Sequence, residues 1–289
     1  MIKYYHNKET DGKPPDIEKE KKKMKKIIAL VLSVVTAAML FAGCGQTKEQ
    51  TDLEYVKEKG KLVVGITDYA PMDYKAKETD SEWIGFDADM AKAFAKEIGV
   101  DVEFVLIEWD QKATELSGKA IDCVWNGMTI SDEVKSAMDV SNAYCNNVQI
   151  AIVRAEDKDK YSTEDAIKDA RVAVESGSAG NAVAKEKGFN VTEVTDQATA
   201  LTEVASRTSD VAIIDSLMAG ATVGEGTSFS NLTYTVKFGE NDAEEFGVGF
   251  RKGSDLVEKL NEFFKKSYAD GTMMQTAEKY GVQAAVIAQ

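Results

Sequence analysis

Residues Gly118 to Tyr144 read GKAIDCVWNGMTISDEVKSAMDVSNAY, and they set the end of a buried strand against a run of polar groups. Ile121 to Trp125 is a short apolar run carrying Asp122 near its start and closed by Asn126-Gly127, the pattern of a strand leaving a core. Thr129 to Ser131 then offers residues able to cap a helix. In an open α/β sheet, ligands gather outside the carboxyl ends of strands, so Asn126, Gly127, Thr129 and Ser131 become candidate pocket residues. The same segment also fits an ordinary strand, loop and helix cap.

Outward from this segment, strands and helices alternate. Lys61 to Ile66 is a β-branched strand, and Asp87 to Ile98 a helix with Asp87 as its N-cap, Met90, Phe94 and Ile98 on one face, and Gly99 ending it. Val100 to Ile107 is a second strand, followed by a helix near Asp110 to Ser117 and a later strand Val148 to Val153. Beyond the polar stretch Arg154 to Ser162, the pattern predicts strands at Arg171 to Val174, Val191 to Val194 and Val211 to Ile214. Helices from Ser162 or Thr163, at Ala179 to Lys187 and at Asp196 to Arg207 lie between them. Strands Leu232 to Phe238 and Phe246 to Phe250 and helices Asp255 to Tyr268 and Thr272 to Tyr280 complete the chain. Such alternation predicts mostly parallel sheets covered on both faces.

The chain begins with a different kind of segment. A lysine-rich stretch, Lys21 to Lys26, precedes the apolar run Ile27 to Ala42, the layout of a secretory signal. The run falls short of the roughly 20 apolar residues of a membrane span. Leu40-Phe41-Ala42-Gly43-Cys44 resembles the lipobox of bacterial lipoproteins, with its leucine one place earlier than usual, so residues 1–43 form the leader and Cys44 carries the lipid. Met24 is the expected true start, and residues 44–52 form a tether. His6, the only histidine, lies in the leader, which excludes a histidine-based triad or zinc site from the mature domain. No cofactor and no metal site are expected.

Charge and cysteine content narrow the function further. The chain has 35 basic and 49 acidic residues; without the leader these become 26 and 44, a net charge of −18. A surface so acidic repels phosphate backbones, so nucleic acid is not a partner. Cys123 and Cys145, the only cysteines besides Cys44, are expected as buried free thiols, and no CxxC or zinc spacing is present.

The strand exits carry the functional reading. Asp68-Tyr69-Ala70-Pro71-Met72, Glu108-Trp109-Asp110, Asn126-Gly127-Met128-Thr129, Glu175-Ser176-Gly177-Ser178-Ala179-Gly180 and Asp215 each stand just past a strand and offer polar or aromatic groups. Two sheets presenting such exits to each other make a cleft of the sort small molecules occupy. The Gly177 to Gly180 turn is neither GxGxxG nor a P-loop.

The blocks IGFDADMAKAFAKEIGV (Ile84 to Val100), Gly118 to Tyr144, VAVESGSAG (Val172 to Gly180), DVAIIDS (Asp210 to Ser216), EEFGVGFRK (Glu244 to Lys252) and YADGTMMQTAEKYG (Tyr268 to Gly281) resemble the bacterial extracellular solute-binding proteins for polar amino acids. The resemblance runs from Leu53 to Gly281 in family order. It implies an α/β, two-lobed periplasmic-binding-protein-like fold of type II, with two hinge strands and a ligand cleft between the lobes. Residues 53–153 plus 237–289 would form lobe 1, and 154–236 lobe 2.

The resemblance also implies a role for each candidate. Asp215 would pair with a ligand ammonium, helped by the Gly127 carbonyl; Thr129 and the Ser178 turn would hold a carboxylate; Tyr69 and Trp109 would wall the pocket, with Asn126 beside them. Asp215 also fits a helix N-cap, Ser178 a plain serine cap, and Trp125 reads as core. One departure stands out: the family's carboxylate-clamping arginine aligns with Val134, and the nearby Lys135 and Lys112 lack its fork geometry. The implied function is an ABC-transporter substrate-binding lipoprotein, monomeric, membrane-attached through its lipid, handing a polar amino acid or similar zwitterion to a permease. A ligand sensor for a membrane receptor and a dehydratase-like enzyme on the same fold are the alternatives. An enzyme would have to draw its acid or base from Asp68, Glu108, Asp110 or Glu175.

Overall fold

The computed structural model describes residues 50–239 and 244–289, which belong to one compact unit, Gln50–Gln289. The expected leader, Met24 and the lipid-bearing Cys44 lie outside the described residues.

In chain order the strands are β1 (Lys61–Ile66), β2 (Asp101–Leu106), β3 (Cys123–Thr129), β4 (Asp139–Val140), β5 (Cys145–Asn147), β6 (Gln149–Arg154), β7 (Arg171–Glu175), β8 (Asn190–Val194), β9 (Val211–Asp215), β10 (Leu232–Phe238) and β11 (Glu244–Phe250). They form two sheets. One runs β2-β1-β3-β11-β4 with β5 also on β11; the other runs β10-β6-β9-β7-β8. Leu62, Val64 and Ile66 on one face of β1 and Val63 on the other are all buried, as expected of a strand covered on both faces.

Four local expectations change. The sheets are mixed: β1, β2 and β3 are parallel and so are β7, β8 and β9, but β11 runs antiparallel to β3, and β6 to β9. β3 continues past Trp125 to Thr129, because β11 supplies partners for that extension, Phe246 opposite Thr129 and Gly247 opposite Met128. Asn126, Gly127 and Thr129 are therefore strand residues, while Ser131 caps the helix Asp132–Ala137, its hydroxyl accepting the Val134 N–H. The helix Phe86–Ile98 starts at Gly85, so Asp87 is no cap but a buried residue; Gly99 ends it in the left-handed region, as expected. The helix near Asp110 opens as a 3₁₀ turn, Trp109–Gln111, before Lys112–Ser117.

The chain changes sheets at two places. β5 pairs in the first sheet and β6 in the second with only Val148 between them. It returns after β10, whose last residue, Phe238, still pairs with Gln149 of the second sheet. Under the first sheet Trp125 packs with Phe94, Tyr144 and Phe264, so it is core. Cys123 and Cys145 are buried free thiols.

Candidate functional site

The carboxyl ends of β3, β7 and β9 meet the start of β6 at one place. Each brings its polar group there by sheet register: Asp215 ends β9 opposite Gln149, which begins β6. A parallel strand delivers its last residue to this edge, and an antiparallel neighbour delivers its first.

The first sheet supplies a rigid floor. A side chain at Gly127 would place its Cβ 2.6 Å from the Tyr69 ring and 3.1 Å from that of Phe246, so only glycine lets the aromatic wall close on the strand. The Gly127 N–H donates to Asp87 Oδ2 at 2.7 Å, and the Tyr144 hydroxyl donates to the same oxygen at 2.7 Å. The Asn126 side chain is turned into the protein, accepting from Thr67 N and Oγ1 and donating to Thr67 O and to Asp73 Oδ2. Asn126 thus lines the site by position while its amide holds the β1 exit in place.

The second sheet supplies the charge. Asp215 Oδ1 accepts from Asn147 Nδ2 at 2.5 Å and Gln149 Nε2 at 2.6 Å, and Oδ2 accepts from Gln197 Nε2 at 2.5 Å. It occupies the N-cap position of the helix Ser216–Thr222 yet makes no capping bond, its oxygens being taken by those three amides. Ser178 does cap, its Oγ accepting the Asn181 N–H at the start of Ala179–Glu186. Glu175, the last residue of β7, is 2% exposed, and its Oε1 has no hydrogen-bond partner.

Of the sequence candidates, Trp109, Asn126, Gly127, Thr129, Ser178 and Asp215 surround one cavity of about 20 Å³, joined there by Gln149, Glu175 and Gln197, while Ser131 lines the chamber outside it. Tyr69 is buried behind Gly127, its ring edge-on to Phe246 and its hydroxyl beside Asp215. A chamber of about 430 Å³ continues outward past Trp109, Thr129 and Ser178. Lys112 Nζ spans the cleft, donating to Trp109 O and to Gly177 O, each at 3.1 Å. A larger groove, about 640 Å³, lies apart along Val148, Leu217 and Val282, and among the described residues no acidic one lines it.

Burial shapes the electrostatics. Desolvation lifts Asp215 to about 6 against the pull of its amide donors, lifts Glu175 to about 8 with help from the Asp215 charge, and lifts Asp87 to about 7 despite its two hydrogen bonds. These carboxylates hold protons more tightly folded than unfolded, so stability falls as pH rises between about 4 and 8. Carboxylates held low, such as Asp210 and Glu193 at about 2, act below that window. Asp87 is buried within the first sheet's own core whether the cleft is open or closed, so the ligand-free protein should melt at a higher temperature at pH 5.5 than at pH 8 in scanning calorimetry; a flat or opposite profile would contradict its shift.

Two α/β sheets that turn strand ends toward a shared polar cavity define a solute-binding protein with a cleft, a fold seen in type II periplasmic amino acid-binding proteins. The chain belongs to the bacterial extracellular solute-binding proteins, family 3, whose pattern matches residues 62–283, and its role is to bind a solute outside the cytoplasm. It is 29% identical over 265 residues to the arginine-binding extracellular protein ArtP of Bacillus subtilis, covering 89% of this chain and 98% of ArtP. It is 30% identical to the L-cystine-binding protein TcyJ of Escherichia coli K12, covering 79% and 85%. Among solved structures it resembles an amino acid ABC transporter substrate-binding protein from Streptococcus pneumoniae bound to L-arginine (TM-score 0.72, 27% identity, 83% of this chain and 100% of that one). It also resembles the ancestral amino acid-binding protein AncCDT-1, a precursor of cyclohexadienyl dehydratase (TM-score 0.70, 30% identity, 79% and 98%).

Proposed function

We propose that the protein captures a small amine-bearing solute, of the class to which polar amino acids belong, by closing two lobes built on the two sheets, and delivers it to an ABC permease. It does so as a monomer tethered through a lipid on Cys44, and without chemical turnover. The observation that carries this reading is Asp215, buried with an acceptor-only side chain beside a cavity that both sheets line. A ligand ammonium is the group such a carboxylate lacks. The lobes are residues on either side of the crossings at Val148 and after Phe238, and Lys112 on Gly177 O is a closed-state contact between them.

Glu175 supports one second reading. Buried, and held at about 8, it carries a proton at neutral pH in the manner of a general acid, and the likeness to AncCDT-1 keeps an enzyme in view. One experiment separates the two. Protein stripped by unfolding and refolding is melted against each of the twenty amino acids, and the mixtures are then analysed by mass spectrometry. Binding to the folded state raises the transition by about 2.7 kcal/mol of stability at 100 times the dissociation constant. A shift with the added compound recovered intact supports capture and delivery; time-dependent conversion overturns it in favour of an enzyme.

A further inference from the structure

The cleft is short of positive charge. Seven acidic side chains line its two chambers, and among the described residues lining them Lys112 is the one base, already engaged by two carbonyls. Val134, at the place where the family resemblance expects a carboxylate-clamping arginine, packs at 9% exposure in an apolar cluster with Trp109, Met128 and Met138. Glu175 points to the ligand independently: its carboxylate is 98% buried, lines the deep cavity, and leaves Oε1 without a partner.

We propose that the solute is a small organic amine with no carboxylate, its ammonium held between Asp215 and Glu175 and a second positive charge drawn to the acidic outer chamber. The inference rests on the solute-binding reading above and names its substrate class. Size agrees with it. The deep cavity, about 20 Å³, accommodates about one water-sized group, the size of an ammonium, and the rest of the solute extends into the acidic outer chamber. In an α-amino acid the carboxyl carbon lies two bonds from the nitrogen. An ammonium seated on Asp215 favours the ionised form of Glu175, and an amino acid then brings its own carboxylate against that charge, with no arginine to neutralise it. The Thr129 hydroxyl, a donor for such a carboxylate in the family resemblance, instead donates to Glu244 Oε2 at 3.3 Å. The corresponding amine keeps the attraction and drops the repulsion.

The test uses pairs that differ by the carboxylate alone: putrescine and ornithine, cadaverine and lysine, agmatine and arginine, titrated by calorimetry into stripped protein at pH 8. In at least one pair the amine should bind about tenfold tighter or more, and Glu175→Gln should weaken that amine by about tenfold. Val134→Arg should shift the same pair toward its amino acid. Tighter binding of the amino acid in every pair would overturn the amine class while leaving the solute-binding reading intact. An amine preference untouched by Glu175→Gln would overturn the placement between the two carboxylates. If neither these six compounds nor any of the twenty amino acids binds, this inference and the reading beneath it fail together.

Discussion

Asp215→Asn is expected to weaken binding of any amine-bearing solute by between about 30-fold and a few thousand-fold, the cost of removing one partner from a buried charge pair. The substitution keeps the shape that Asn147, Gln149 and Gln197 surround, removes the charge, and turns one of the two acceptor oxygens into a donor, so the bonds from Asn147 and Gln149 can be kept while the one from Gln197 is lost. Alanine would be a poorer probe, since it strands three buried amide donors and each unsatisfied group costs about 1–3 kcal/mol. Burial lifts this carboxyl to about 6, so at pH 8 it is ionised, and its desolvated charge costs the folded chain stability that asparagine does not, which offsets part of the cost of the changed amide contact. At pH 8 the asparagine variant should therefore melt within a few degrees of the parent while losing the solute. Full affinity in calorimetry would remove Asp215 from the ammonium site.

Legibility in the sequence depends on how local each cause is. Asp215, Ser178, Gly127 and Trp109 were visible because a parallel strand announces its end with an apolar run and then polar residues. Gln149 and Glu244 were not, because they open β6 and β11, and the antiparallel pairing that brings a strand's first residue to the cleft depends on partners far along the chain. Gln197 sits one residue after the cap Asp196, where nothing local separates a ligand-cleft amide from a helix start. The same blindness misplaced Asp87. Its position before a helical pattern suits a cap, and only the fold shows it buried under Gly127. Glu175 stood in a recognised turn, but its burial and its unpartnered oxygen arise from the opposing sheet. The elements were thus largely legible, while the electrostatics of the cleft, produced by long-range pairing, were not.

That opposing contact yields the second large effect. Gly177 lies in the turn after β7 at φ +69, and a Cβ there would stand 2.8 Å from Asp110 Cα across the cleft. The obstacle is backbone, which cannot swing aside as a side-chain tip does. Gly177→Ala carries two costs of different kinds. The left-handed backbone costs about 1–2 kcal/mol for a residue with a Cβ, and it does so whether the lobes are open or closed. The collision exists only when Asp110 and Gly177 meet, so it opposes closure alone and appears as lost affinity. Gly188→Ala separates the two, because Gly188 has nearly the same angle, φ +68, with nothing within 4 Å of its Cβ position. Both variants should lose similar melting temperature without solute. Only Gly177→Ala should bind about tenfold to a hundredfold more weakly, and only it should fail to contract in small-angle scattering when a solute that compacts the parent is added. Equal affinities in the two variants would mean that the approach of Gly177 to Asp110 is no part of solute capture.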